Sequence, residues 1–177
     1  QHIEMTQDIA GKFNRCFGEI FPIPGFRLDK ESKVPGVDGQ KMSKSYGNTI
    51  EIFAEGKPLE KRIMGIVTDS TPVESPKDPA KCNVFALYSL FATEVEKTAL
   101  EQKYRSGGMG YGEAKKALLA KVNEHFSAAR EKRKELASRP GEVEDILKAG
   151  ARRAREEARA TIRLVRRAVG MKDEPTL

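Results

Sequence analysis

The sequence predicts a mainly α-helical protein in which one lysine-rich loop precedes a bundle of helices. From residue 80 onward, apolar residues recur with the 3.6-residue period of helices, and no strand pattern appears after about residue 40. Short breaks rich in glycine or proline separate these stretches, which is typical of an all-α bundle. The loop itself reads Lys41-Met42-Ser43-Lys44-Ser45. With 177 residues, the chain can form one large domain, or a small domain and part of another.

The part of the chain before the loop is predicted to be one helix followed by irregular structure. Apolar residues on a single face predict a helix over residues 5–21, and two prolines directly after it stop it. Residues Phe26 to Leu28 form a short candidate strand. The segment 33–40 is rich in turn residues and leads into the loop.

The part after the loop is predicted to be helical throughout. Asn48 or Thr49 is expected to cap a short helix that runs through Phe53 and ends at Gly56. Pro58 suits the first turn of the next helix. A loop follows at residues 68–79, and then come four further helices, at about 80–92, 94–105 (with a Thr93–Glu96 capping box), 112–137 and 142–169 with a kink at Gly150.

The lysine loop, residues 41–45, is the clearest chemical signal in the sequence. Two ammonium groups three residues apart suit the oxygens of a polyphosphate, while serine hydroxyls and backbone amides can fill the remaining positions. Gly36 and Gly39 precede the loop and Gly47 follows it, so the backbone can bend sharply and approach a ligand closely. A solvated surface loop is the alternative interpretation of the same residues.

Positive charge is concentrated in the last third of the chain. The net charge is +6, and residues 130–172 contain 14 lysines and arginines against 7 aspartates and glutamates. Such a segment favours a polyanionic partner, with nucleic acid first. A solvated helical face with intrahelical ion pairs explains the same charges equally well.

Cysteine and histidine are too sparse to predict a metal site. Cys16 and Cys82 have no further Cys or His nearby at metal-ligand spacing. Both lie among apolar neighbours on predicted helices, so we expect buried, reduced thiols and a cytoplasmic location. No run approaches the roughly 18 apolar residues of a membrane helix, and we therefore expect no membrane partner.

Short motifs spread along the whole chain accompany the lysine loop. They are Gln1–Thr6, Phe13–Arg15, Gly18–Phe21, Tyr46–Asn48, Val67–Ser70, Lys81–Phe85 and Gly110–Gly112. With the loop, they resemble the class I aminoacyl-tRNA synthetases, and within that class the bacterial-type tryptophanyl-tRNA synthetases. The resemblance implies the C-terminal remnant of a Rossmann-type nucleotide-binding domain over residues 1–56. An all-α helical bundle of the anticodon-binding type would follow over residues 57–177.

The resemblance also implies the reaction, in which ATP activates tryptophan and the acyl group is transferred to tRNA. It assigns the nucleotide to Val34, Lys41, Met42, Ser43, Lys44 and Ser45. Lys41 and Lys44 would be the catalytic pair, with Lys44 in direct contact with the leaving phosphates. The two serines and the amide of Met42 would position the nucleotide, and Val34 would lie against adenine. Magnesium is expected to accompany ATP and to be bound by ligands outside this chain.

Parts of the family's site are missing from the chain. The first nucleotide signature of the Rossmann domain is absent, and the residues that bind the amino acid would precede Gln1. We therefore expect the chain to be a piece of a longer protein and to be inactive alone. The full-length protein is expected to be a homodimer, by the same resemblance.

The basic C-terminal third supplies the candidate contacts to tRNA. These candidates are Arg130, Lys132, Arg133, Arg152, Arg153 and Arg155. For any one of them, a solvated helix face is the alternative interpretation. Three alternatives remain for the whole chain: a non-catalytic tRNA-binding module, the tyrosine enzyme of the same subclass, and a helical interaction protein.

Overall fold

All regular secondary structure that the structure describes is helical. The computed structural model describes residues 1–27 and 33–171. Its α-helices are α1 His2–Phe17, α2 Gly56–Met64, α3 Asn83–Ser89, α4 Glu94–Ser106, α5 Tyr111–Ala137 and α6 Pro140–Ala168. Single 3₁₀ turns lie at Lys44–Tyr46 and Pro79–Lys81. The predicted mainly α fold is confirmed.

The chain divides into two compact units. One unit combines Gln1–Leu28 with Leu136–Leu177, and the other is Asp29–Glu135. The predicted domain boundary between residues 56 and 57 stays a prediction. The lysine loop falls within the second unit because apolar residues on both sides of it pack against the same core as the helices that follow; these residues are Val34, Val37, Met42, Ile50 and Ala54.

The core of the Asp29–Glu135 unit lies between α2, α3, α4 and α5. Its most deeply buried side chains come from all four of these helices and the segments joining them, namely Leu59, Ile63, Ile66, Val84, Tyr104 and Leu118. Tyr104 packs edge-on against Phe85 and shares a hydrogen bond with the buried Cys82 thiol at 3.3 Å. Burial raises the pKa of Tyr104, so this phenol stays protonated and available for the bond.

Helix α4 begins at the predicted capping box, and that prediction is confirmed. The Thr93 hydroxyl accepts a hydrogen bond from the Glu96 amide, and the Glu96 carboxylate accepts one from the Thr93 amide at 2.9 Å. Lys121 of α5 lies 2.6 Å from the same carboxylate. The Lys121 ammonium and the Thr93 donors lower the pKa of Glu96 to about 2. The cap therefore also links α4 to α5.

The loop over residues 68–79 is folded around a buried lysine. Lys77 is 5% exposed, and its Nζ donates hydrogen bonds to the carbonyls of Pro72, Val73 and Ser75 at 2.8–3.3 Å. The same ammonium lies 5.4 Å from the centre of the Tyr111 ring. Three carbonyls and a ring face compensate for removing the charge from water.

The Gln1–Leu28 and Leu136–Leu177 unit contains α1 and α6. Helix α1 ends at Gly18, whose φ of 95° favours glycine. Asn14 then holds the following turn: its side chain accepts hydrogen bonds from the amides of Ile20 and Phe21, and donates to the Phe21 carbonyl at 2.7 Å and to Glu19 at 3.1 Å. The loss of helical geometry at residue 18 explains why α1 ends at Phe17 and not at residue 21 as predicted.

Helix α6 runs without a break through Gly150, so the helix itself is confirmed. None of its 29 residues is buried. Its exposed apolar side chains include Ile146, Leu147, Ile162 and Leu164. The helix is thus amphipathic but has no buried face in this chain. No helix in the described part of the chain is long and apolar enough to cross a membrane.

Three local predictions are wrong. Residues 50–53 contain a turn at 52–53 and no helix, and the Asn48 side chain is bonded within the lysine loop instead of capping one. Phe26 and Arg27 are not in a strand, while Leu28 lies outside the described residues. Cys16 is exposed on α1, and only Cys82 is buried. The helical period identified α1 correctly but not which of its faces is covered.

Leu118→Ala should destabilise the Asp29–Glu135 unit by about 2–5 kcal/mol, because it removes a fully buried side chain and leaves a cavity. Urea unfolding followed by circular dichroism measures the change. Val95→Ala is the control, since Val95 is 80% exposed on α4. Equal midpoints for the two variants would contradict the assignment of this core.

Candidate functional site

The lysine loop begins directly after a tight turn over residues 35–41. Pro35 and Lys41 form an isolated antiparallel bridge, and the amide of Met42 donates to the Val34 carbonyl at 2.9 Å. Between them, the amide of Gly36 donates to the Gln40 carbonyl at 2.6 Å. The bridge fixes where the loop begins.

The loop then closes through a single 3₁₀ turn. The Ser43 hydroxyl accepts a hydrogen bond from the Ser45 amide at 3.3 Å, as the cap of Lys44–Tyr46. Gly47 ends the turn with φ of 62°, and its amide donates to the Lys44 carbonyl at 3.1 Å. A glycine is suited to this left-handed position because it has no Cβ.

The two lysines of the loop are exposed, whereas the residues between them are partly covered. Lys41 and Lys44 both lie on the surface, and among the described residues neither ammonium group is paired with a carboxylate. Met42 packs against the core and Ser43 is half-buried. The arrangement presents two cations to solvent from an anchored backbone. It suits an anionic ligand.

The residues predicted to contact a nucleotide differ in their exposure and in their hydrogen bonds. The amide of Met42 is bonded to the Val34 carbonyl, so it is not available to position a nucleotide as predicted. Val34 is half-buried, and its side chain packs against the core. The serine hydroxyls remain near the surface, and Ser43 uses its own hydroxyl as a cap.

Asn48 is the residue at this site that the sequence analysis misinterpreted. Its Oδ1 accepts a hydrogen bond from the Ser43 amide at 2.7 Å, and its Nδ2 donates to the Lys41 carbonyl at 3.2 Å and to the Asp38 carboxylate at 2.8 Å. Its carbonyl accepts from the Val37 amide at 3.0 Å. Only 2% of Asn48 is exposed. A polar residue directly after Gly47 was the available signal, but it equally fitted a helix cap.

Arg62 of α2 holds the far end of the loop. Its guanidinium donates to the carbonyls of Gly47 and Thr49, the latter at 2.8 Å. An open cleft of about 370 Å³ lies beside it, lined by Gly47, Thr49, Glu51, Ala54, Pro58, Leu59 and Arg62. Among the described residues that line this cleft, Arg62 is the one cation, and it already serves two carbonyls. The exposed ammonium groups of Lys41 and Lys44 suit phosphate groups better than this cleft does.

The candidate RNA contacts on α5 are largely engaged within the chain. Arg130 is 4% exposed and donates to the Ile52 carbonyl at 2.9 Å and to Asn123 at 2.7 Å. The prediction that it lies on an RNA-facing surface is wrong. Arg133 lies 4.6 Å from the centre of the Phe53 ring. Basic side chains of α5 therefore hold the turn after the lysine loop.

The remaining candidates lie on exposed surfaces of two different units. Lys132 on α5 forms an exposed ion pair with Glu135 at 2.8 Å. Arg152, Arg153 and Arg155 are exposed on α6. The role of these four residues as RNA contacts stays a prediction. Within the described residues, no three His, Cys, Asp or Glu side chains are placed to hold a metal ion.

Comparison with known proteins places the chain in a family. The model of the class I tRNA synthetases for tryptophan and tyrosine (W and Y) matches residues 1–127, more than half of the chain. The chain belongs to this family. The synthetase resemblance inferred from the lysine loop and its accompanying motifs is thereby confirmed.

Several curated proteins similar to this chain are named tryptophan–tRNA ligases. The ligase of Rhodopirellula baltica is 51% identical over 173 residues, which are 97% of this chain and 54% of that protein. The ligase of Fusobacterium nucleatum is 47% identical over 97% of this chain and 53% of that protein. The chain therefore spans about half the length of the synthetases it matches.

A solved synthetase structure has the same fold as this chain. The tryptophanyl-tRNA synthetase of Campylobacter jejuni, in complex with ADP and tryptophan, matches 96% of this chain and 54% of its own. The TM-score is 0.78 at 44% sequence identity. The helical arrangement described above is therefore one that synthetases of this family adopt.

Arg62→Met should loosen the end of the lysine loop. Loss of two hydrogen bonds from a guanidinium should make the amides of Tyr46 and Gly47 exchange about tenfold faster, which corresponds to about 1.4 kcal/mol of local opening free energy. Hydrogen exchange read by mass spectrometry measures this. Arg105→Met, which removes an exposed α4 ion pair with Glu101, is the control. Unchanged exchange at residues 46 and 47 would contradict the role of Arg62 in holding the end of the loop.

Proposed function

We propose that this chain is the C-terminal half of a tryptophan–tRNA ligase and supplies its ATP and pyrophosphate loop. The observation that carries the proposal is the lysine loop, with two exposed lysines on an anchored backbone, in a chain 51% identical to a tryptophan–tRNA ligase. The relatives named for tryptophan favour that amino acid over tyrosine. They also favour an enzyme over a module that only binds tRNA.

The chemistry follows from where charge develops during activation. The carboxylate of tryptophan attacks the α-phosphate of ATP, the bond to the β-phosphate oxygen breaks, and pyrophosphate leaves with the negative charge. Cations already positioned at the leaving oxygens stabilise this transition state more than the bound ATP. Lys44 would contact the leaving phosphates directly, with Lys41 beside it and the hydroxyls of Ser43 and Ser45 positioning the nucleotide. Val34 would lie near adenine.

The site as described fits the phosphates of ATP and not a metal ion. Ammonium groups donate hydrogen bonds and do not coordinate cations. Magnesium would therefore be held by the nucleotide and by groups outside this chain. Tryptophan, too, would be bound by residues outside it, in a homodimeric cytoplasmic enzyme.

Transfer RNA is the proposed macromolecular partner. Arg152, Arg153 and Arg155 on α6, with Lys132 and Arg133 on α5, would contact its phosphates. Such contacts strengthen binding without reading sequence, so base recognition must come from other groups. The excess of positive charge in residues 130–172 supports this assignment.

In the full-length protein, Lys44→Ala should reduce tryptophan-dependent pyrophosphate exchange by about 10²- to 10³-fold in kcat, because one preplaced cation is lost. The KM for tryptophan should change little. Lys57→Ala, an exposed lysine of α2, is the control. The isolated chain should show no exchange, and tryptophan-dependent turnover by it would contradict the proposal that the site is shared with another half.

Affinity of the full-length protein for tRNA should fall steeply with salt, and the Arg152→Ala, Arg153→Ala, Arg155→Ala triple variant should bind more weakly. The slope of log affinity against log salt should decrease by about one for each arginine that contacts a phosphate. Filter binding at several salt concentrations measures it. An unchanged slope would show that these arginines face solvent only.

A further inference from the structure

Two side-chain hydrogen bonds of Asn48 end on the backbone of the lysine loop itself. One reaches the carbonyl of Lys41 and the other the amide of Ser43, on either side of Met42. They therefore fix the two peptide groups on either side of Met42, which form the backbone between Lys41 and the Ser43 residue that precedes Lys44. The third bond, to Asp38, joins this part of the backbone to the preceding turn.

The side chain at position 48 must accept one hydrogen bond and donate two. Among side chains of this size only asparagine does so, because aspartate cannot donate when ionised and leucine forms no hydrogen bonds. Space around it is also restricted. A Cβ added at Gly36 would lie 2.4 Å from Asn48 Cγ, so the turn leaves room for this amide only by having a glycine there.

We propose that Asn48 is a positioning residue for the reaction: it sets the direction in which Lys41 and Lys44 present their ammonium groups to the leaving phosphates. The inference rests on the proposed function of the loop. Asn48 does not itself contact ATP. It holds the backbone from which the cations extend, in the way that buried supporting groups keep a site in productive geometry.

Asn48→Asp is the informative variant because it keeps size and the acceptor for Ser43. The new oxygen faces the Asp38 carboxylate and the Lys41 carbonyl, both of which need a donor. In the full-length protein we expect pyrophosphate exchange to lose about 10- to 100-fold in kcat at neutral pH. The KM for tryptophan should stay unchanged.

The defect of Asn48→Asp should depend on pH. In the natural protein the Asn48 amide lowers the pKa of Asp38, as does the nearby Arg62 guanidinium. In the variant two facing carboxylates raise the pKa of the pair, and below it a shared proton can replace the missing donor. Activity relative to the natural protein should therefore fall as pH rises. Adding Asp38→Asn restores a donor and should abolish this dependence and recover part of kcat.

Asn14→Asp is a closely matched control. Asn14 is also a buried asparagine, 6% exposed, whose Oδ1 accepts from backbone amides and whose Nδ2 donates to a carbonyl and to the Glu19 carboxylate. It should lose thermal stability as Asn48→Asp does, yet keep kcat. Similar kcat losses in both variants would overturn the positioning role.

The outcome for Lys44→Ala separates this inference from the proposed function. If Lys44→Ala is impaired while Asn48→Asp matches the natural protein, the positioning role is overturned and the function of the loop stands. If Lys44→Ala is fully active, both are overturned. The inference is supported if Lys44→Ala and Asn48→Asp are impaired and the Asp38→Asn addition removes the pH dependence.

Discussion

The shape of the lysine loop depends on apolar anchors set on either side of it. Val34 and Val37 before the loop, Met42 within it, and Ile50 and Ala54 after it all pack against the core of α2 to α5. Burial of such side chains is the main favourable term in folding and is not directional. The anchors therefore set where the loop lies, and the hydrogen bonds of Asn48 and Arg62 set its conformation.

The chain uses its positive side chains in two ways. Lys77 and Arg130 are buried, and their side chains donate hydrogen bonds to backbone carbonyls of irregular segments. Lys41 and Lys44 remain exposed. Basic side chains of one small unit can thus either stabilise the fold or remain exposed to bind a ligand. The residue type alone does not distinguish these two roles.

Sequence patterns identified the helices of this chain well and the site only in part. The 3.6-residue period and the Thr93–Glu96 box are local signals, so they predicted α4 and α5 nearly to their ends. The role of Asn48 depends on Ser43, Asp38 and Gly36 meeting in space, and the burial of Arg130 depends on Ile52, 78 residues away. Contacts of this kind have no periodic signature. Charge alone therefore placed Arg130 on the surface.

The hydrogen bonds that close the lysine loop span short stretches of chain. Those of the Asn48 side chain join residues five, seven and ten apart in sequence. Closing such short segments costs little chain entropy, and the core anchors hold their ends near one another. The loop backbone is thus ordered before any ligand arrives. A nucleotide bound there, as proposed, would restrict mainly side chains, and less conformational entropy would be lost on binding than for a loop that must first fold.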